Sequence, residues 1–265
     1  VYCETPIPGL GTLWISSPAE GATTISADGC ADIILRDDQL IVAGPSTRWL
    51  LARGSEQHPT VGLRFFPGLA GAGLGIDAFE LRDRILPAQG LLPAALAERG
   101  ERALRALLGA AESPAARGPQ EGPTSGAPDL SRAAESRYAG RLRDAARAVP
   151  RELALHSEAR RLRWVDEVRG AALRAEPLPR LARRLGYSER QLRRRMLQTF
   201  GYGYASLRRV LRAERARDLI LRGAPLATAA SLAGYADQSH MAREFGRVIG
   251  AAPAQLAAAS GSSGA

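Results

Sequence analysis

Seven side chains, in two similar stretches, can recognise a polyanion. Arg190, Arg193 and Arg194 lie in LARRLGYSERQLRRRMLQTFG (181–201), and Gln238, Ser239, His240 and Arg243 in AASLAGYADQSHMAREFGRVIG (229–250). Arginine presents two parallel donors that match guanine O6 and N7, glutamine pairs one donor and one acceptor with adenine N7 and the N6 amino group, and serine or histidine can bond base edges or phosphates. Such chemistry needs a rigid element narrow enough for a groove, and an α-helix fits the major groove of a duplex.

The two stretches read as a duplication of that element. Gly186 and Tyr187 match Gly234 and Tyr235 at an offset of 48; Leu192, Arg194, Met196 and Gly201 match Met241, Arg243, Phe245 and Gly250 at 49, so the second turn holds one more residue. Each copy has a short apolar helix, a glycine at the break, an N-cap residue (Ser188; Asp237) and a second helix with apolar residues four apart. This is the grammar of a helix-turn-helix. Leu192 with Met196, and Met241 with Phe245, should face the partner helix and turn the polar positions outward, Arg195 included further round the first helix. Between the copies, Leu207, Leu211, Leu219 and Ile220 predict one long helix over 204–222, ended by Gly223.

Charge follows the same division. All 36 basic residues are arginine, and the net charge is +9. Residues 1–110 sum to −3 and residues 111–265 to +12. Ten arginines between Leu178 and Arg212 face a single acid, Glu189, so a polyanion is the natural partner of that segment. A solvated helical face is the alternative, but such faces usually interleave both signs, as at Glu214, Arg215, Arg217 and Asp218.

The remainder divides by pattern. Short β-prone runs occupy 13–15, 31–36, 39–44, 49–53 and 60–66, with Asp37 and Asp38 placed for a hairpin turn; from Asp77 the pattern turns helical through Leu81, Ile85, Leu96, Leu104, Leu107 and Leu108. The fold class expected is α+β: a β-rich domain with a helical tail at 1–110, for which a cupin-like form is one candidate, then an all-α part with two helix-turn-helix units. Residues 112–128 hold four Pro, three Gly and no large apolar residue, which predicts a flexible linker over 111–129. Connecting helices are expected over 130–159, the first beginning at an Asp129 N-cap. Leu130, Tyr138, Leu142 and Val149 lie on one apolar face, Leu162, Val165 and Ala172 on another. A double helix-turn-helix domain follows over 160–256, then a disordered tail at 257–265.

With those motifs in place, residues 160–256 resemble the DNA-binding domain of the AraC/XylS family of bacterial transcription regulators. GYSERQLRRR is similar to that family's first recognition helix, and GYADQSHMAREF followed by GAAP to its second. The resemblance implies two helix-turn-helix subdomains bridged by a long helix, sequence-specific binding of double-stranded DNA in adjacent major-groove segments, and control of transcription, often through RNA polymerase. Its base-facing positions fall on Arg190, Arg193, Arg194, Gln238, Ser239, His240 and Arg243. Where the family commonly has Pro near the start of the bridging helix, this chain has Tyr204. DGCADIIL, VAGPSTRW and GLRFFPG resemble an uncharacterised β-rich N-terminal domain found on other regulators of this type, which implies a sensory or dimerisation unit, with a small-molecule effector and a homodimer as candidate partners.

Other chemistry is poorly provided for. His58 alone cannot assemble a cupin metal centre, and the carboxylates show no ligand spacing. Cys30 reads as a buried, inert thiol, and Cys3 carries still less. Two cysteines cannot build the zinc-thiolate cluster of methyl-transferring repair proteins that carry AraC-like domains. Trp14, Trp49, Arg48, Arg64, Phe65 and Asp32 could line an anion pocket; the preferred reading is structural, with Arg48 or Arg64 paired to Asp28 or Asp32. The chain is expected to be a cytoplasmic, non-enzymatic protein without cofactor, metal or membrane partner. The alternative is a small-molecule sensor or protein-interaction module whose helices mainly contact protein.

Overall fold

The computed structural model describes residues 2–112, 138–147 and 159–261. The N-terminal part is built on a six-stranded antiparallel sheet in the order β1-β2-β7-β4-β5-β8, from β1 (Tyr2–Ile7), β2 (Gly11–Ser16), β4 (Ala31–Arg36), β5 (Gln39–Ala43), β7 (Thr60–Phe65) and β8 (Ile85–Pro87). A separate pair joins β3 (Ala22–Ile25) to β6 (Leu50–Arg53). The β4–β5 hairpin closes through Asp37 and Asp38, both at positive φ (47° and 59°), the geometry of a two-residue turn whose twist suits the strands.

Strands alternate their side chains between two faces. One face carries Leu13, Ile15, Ile33, Leu35, Val61, Leu63 and Phe65, all buried beneath helix α3 (Ala94–Glu112), which lays Leu96, Ala103, Leu104 and Leu107 against them. The other face carries Trp14, Asp32 and Arg64. Three strands were not anticipated: β1 and β3 contain Pro, Thr or Glu at half their positions and lack an apolar alternation, and Ile85 lies in strand β8 rather than continuing a helix from Leu81. Only two short helices, α1 (Ala70–Leu74) and α2 (Ala78–Leu81), precede it.

The first two residues of the expected linker, 111–112, close helix α3, while the rest of it, Asp129 and most of the segment 130–159 lie outside the described residues; within that segment, 138–147 form helix α4, with Leu142 buried. The C-terminal part comprises α5 (Ala159–Leu173), α6 (Leu178–Arg184), α7 (Glu189–Phe200), α8 (Tyr204–Leu221), α9 (Leu226–Ala233), α10 (Gln238–Ile249) and α11 (Pro253–Gly261). Helix α11 corrects the expectation of a disordered tail from 257: the helix runs on to Gly261, its alanine-rich sequence favouring that state. Val165 and Ala172 are buried as their spacing implied, and the side chain of Leu162 lies outside the described residues.

The two hydrophobic cores do not divide where the sequence divides. The sheet core continues without a break into Trp164, Val165, Leu181, Leu192, Met196, Phe200, Tyr202, Leu207 and Leu211, so the N-terminal domain and the first helix-turn-helix share one interior. The second unit has its own core, of Val210, Ala213, Ala216, Ile220, Ala229, Ala230, Met241, Phe245 and Val248, and it includes Ala27 from the N-terminal domain. Helix α8 supplies residues to both.

Candidate nucleic-acid interface

Each second helix is set by local chemistry. Ser188 caps α7: its hydroxyl accepts from the Gln191 N–H at 3.2 Å while Gln191 Oε1 accepts from the Ser188 N–H at 2.8 Å, a complete capping box. Asp237 caps α10, its carboxylate accepting from the His240 N–H at 2.6 Å. Leu192, Met196 and Phe200 bury one face of α7, and Met241, Phe245, Val248 and Ile249 one face of α10. The opposite faces are left to solvent. Arg190, Arg193, Arg194, Gln238, Ser239 and Arg243 are all exposed there.

His240 stands apart from the other six. It is half-buried, its Nδ1 accepts from the Ala236 N–H at 3.4 Å, and its ring meets Tyr235 edge-on at 5.3 Å, so it braces the turn as well as flanking the outward face. Arg193 donates to Glu189 at 2.5 Å across one helical turn. Both partners are largely exposed, and such pairs contribute only about 0.3–0.5 kcal/mol, so the guanidinium is readily surrendered to a stronger acceptor.

Several arginines of the dense segment are spent inside the protein, which sequence reasoning did not foresee. Arg195 donates to the Tyr187 hydroxyl at 2.5 Å and lies over the Trp164 ring at 4.9 Å. Arg184 ties α6 to α5 through Glu167 and Glu176. Arg212 grips Glu244 with both ends of its fork, Nε to Oε1 at 2.9 Å and Nη2 to Oε2 at 2.7 Å, and stacks on Tyr235; Arg209 adds a longer contact to the same carboxylate. That cluster fixes α10 on α8. At the start of α8, the Tyr204 hydroxyl donates to the Glu176 carbonyl at 2.9 Å and anchors the first turn to the α5–α6 junction.

The proposed anion pocket does not assemble. Trp14 Nε1–H donates to Asp32 Oδ1 at 2.8 Å, and Arg64 Nε bridges Asp32 at 3.3 Å and Asp28 at 3.1 Å, the structural pairing preferred above. Burial pushes the Asp32 carboxyl up to about 6 against the pull of Arg64. Phe65 belongs to the opposite face of the sheet, and Trp49 is packed on Gly250. Cys30 is buried among Asp28, Asp32 and Glu214, and desolvation first, then those carboxylates, push its thiol well above the ordinary range, so it is a poor nucleophile. Among the described residues no group of three His, Cys, Asp or Glu could hold a metal ion, and no helix is long and apolar enough to cross a membrane.

Two capped helix-turn-helix units on a shared long helix, each with an outward polar face, define a DNA-binding protein. Residues 181–259 match the family model described as a helix-turn-helix domain. This segment is an AraC-type helix-turn-helix domain. No curated protein matches the chain. Among solved structures it is similar to ToxT from Vibrio cholerae: 11% identity, 97% of each chain covered and a TM-score of 0.44 for the P21 crystal form. A second ToxT structure, from Vibrio cholerae O395, has 11% identity, covers 94% of this chain and 96% of that one, and has a TM-score of 0.39. A third, of O395 ToxT bound to (E)-4-(8-methylnaphthalen-1-yl)but-3-enoic acid, has 10% identity, 98% and 99% coverage, and a TM-score of 0.41.

Proposed function

We propose that the chain is a sequence-specific regulator in which α7 and α10 enter successive major-groove segments of one duplex. Arg190, Arg193 and Arg194 read one segment; Gln238, Ser239 and Arg243 read the other, with His240 at its edge. The observation that carries this reading is the exposure of six polar side chains on two helices whose opposite faces are wholly packed. The half-buried Arg208 on α8 is assigned to phosphate attraction. The N-terminal domain is the proposed seat of control, through a small-molecule effector or a homodimer, and RNA polymerase is the proposed downstream partner.

Gel-shift titration against the native upstream region tests the reading. Arg193→Ala and Gln238→Ala should each weaken specific binding by about 1–3 kcal/mol, and each should relax discrimination at its own base position. Arg208→Ala should weaken all sequences alike and flatten the salt dependence. Equal affinity of the unaltered protein for every duplex would refute sequence-specific recognition.

A further inference from the structure

Arg48 lies in the loop between β5 and β6, and both of its neighbours are held. The Thr47 N–H donates to Asp83 Oδ1 at 2.8 Å and the Thr47 hydroxyl to Oδ2 at 3.0 Å, while the Trp49 N–H donates to the Arg247 carbonyl at 3.4 Å. Arg48 itself is exposed and, among the described residues, makes no hydrogen bond or ion pair. It pairs with neither Asp28 nor Asp32, because Arg64 takes both carboxylates. Its backbone is fixed and its charge is unspent, which leaves the guanidinium free to bind an anion.

The loop is seated against the trailing end of the second recognition helix. Gly250 ends α10 so close to the N-terminal domain that a Cβ there would stand 2.6 Å from Thr24 and 2.8 Å from Trp49. Just past β3, the Ala27 N–H donates to the Val248 carbonyl at 2.7 Å and the Ser26 hydroxyl to the Ile249 carbonyl at 3.2 Å. Ala27 is fully buried in the core of the second unit. The β3–β6 pair and the loop that carries Arg48 are thereby pinned to α10 at several points.

Helix α10 brings charge to the same place. Ser239, Arg243 and Arg247 follow one another four residues apart, so they share one face, and each step of four advances about 6 Å along the axis. Arg243 and Arg247 are exposed, and among the described residues neither side chain has an ion pair. The acid of this helix, Glu244, is already taken by Arg209 and Arg212. Unpaired cations therefore run from the base-facing start of α10, through Arg243 and Arg247, to Arg48 on the N-terminal domain. The trailing end of a recognition helix can meet the phosphate backbone while its other positions meet bases, as in homeodomains.

We propose that the Thr47–Trp49 loop of the N-terminal domain is a third part of the DNA surface, in which Arg48, together with Arg247, binds the phosphate backbone flanking the groove segment that α10 reads. Phosphate oxygens accept guanidinium N–H groups in pairs whatever the base sequence, so the contact adds affinity without adding discrimination. A duplex is the occupant because the patch continues the recognition face and carries a single sign, the complement of a polyanion. The inference rests on the DNA-binding reading above and gives the N-terminal domain a share in it. A displacement of this loop would change affinity for every sequence alike.

Titration of the full chain against a random-sequence duplex and against the native upstream region, over a range of salt concentrations, tests it. Arg48→Ala and Arg247→Ala should each flatten the slope of log affinity against log salt by about one on both duplexes, and weaken binding by up to about tenfold at roughly 0.1 M salt. The ratio of the two affinities should stay as in the unaltered protein. Both side chains are exposed and unpaired, so the fold should survive, which circular dichroism checks. Arg102→Ala, at an exposed position on α3, removes the same charge away from the patch and should leave the slope unchanged. An Arg48→Ala slope equal to that of the unaltered protein, or an equal loss in Arg102→Ala, overturns the inference. Equal affinity of the unaltered protein for both duplexes would count only against sequence-specific recognition, because the backbone contact is still measured on random DNA. Binding to neither duplex would overturn both.

Discussion

Replacing Arg193 and Gln238 together by alanine should weaken specific DNA binding by about 2–6 kcal/mol, the sum of two independent losses. That corresponds to a fall of roughly thirtyfold to more than ten-thousandfold in affinity. Additivity is expected because the two side chains belong to separate helix-turn-helix units with separate cores and share no partner: Arg193 pairs with Glu189 on its own helix, and Gln238 begins α10. Both substitutions are at exposed positions, so the fold should be preserved. Gel-shift titration of the unaltered protein, the two single variants and the double variant checks it. A double variant no weaker than the worse single one would mean that the two surfaces never read one duplex at the same time.

The largest effect on stability is expected at Phe200. Its ring is fully buried at the C-terminal end of α7, tilted against Trp164 at 5.9 Å and Tyr202 at 6.1 Å, and it fills the space that a Cβ on Gly68 would need. Phe200→Ala should destabilise the protein by about 3–5 kcal/mol through lost burial and the cavity left behind. Because that core is common to the sheet and the first helix-turn-helix, strand and helix signals should be lost together at a lower urea concentration. An unchanged midpoint would show that Phe200 is not part of a shared core. Gly201→Ala, one residue on, should also destabilise, since alanine is strained at that φ and its Cβ collides with the Ala78 carbonyl.

Most of the C-terminal domain was legible because its signals are local. A capping serine or aspartate, a glycine at the helix end and apolar residues four apart act within a turn or two of chain, and the structure has each of them at Ser188, Asp237, Gly201 and Gly250. The central strands β4, β5 and β7 were legible for a similar reason, being β-branched and apolar with turn residues between them. Strands β1, β3 and β8 were not, because they lie at edges or in a two-stranded pair and take their conformation from a partner rather than from composition.

The candidate interface divides in the same way. Periodicity alone distinguishes Arg193 and Arg194 from the buried Leu192 and Met196. It does not show that Arg195 would turn towards Tyr187 and Trp164, that Arg212 would be absorbed by Glu244, or that His240 would brace its own turn. Those outcomes depend on which acid or ring another helix brings within a few ångströms.

By itself the amino-acid sequence determined a duplicated, capped, arginine-bearing helical motif, since caps, breaks and helical faces are set by neighbours a few residues apart. Only the tertiary structure decided which arginines stay free, that the N-terminal sheet and the first helix-turn-helix share one interior, and that Ala27 enters the core of the second. The physical reason is chain separation: Ser26 meets Ile249 across 223 residues and Gly29 meets Tyr202 across 173, and no local pattern encodes which distant surfaces will exclude water together.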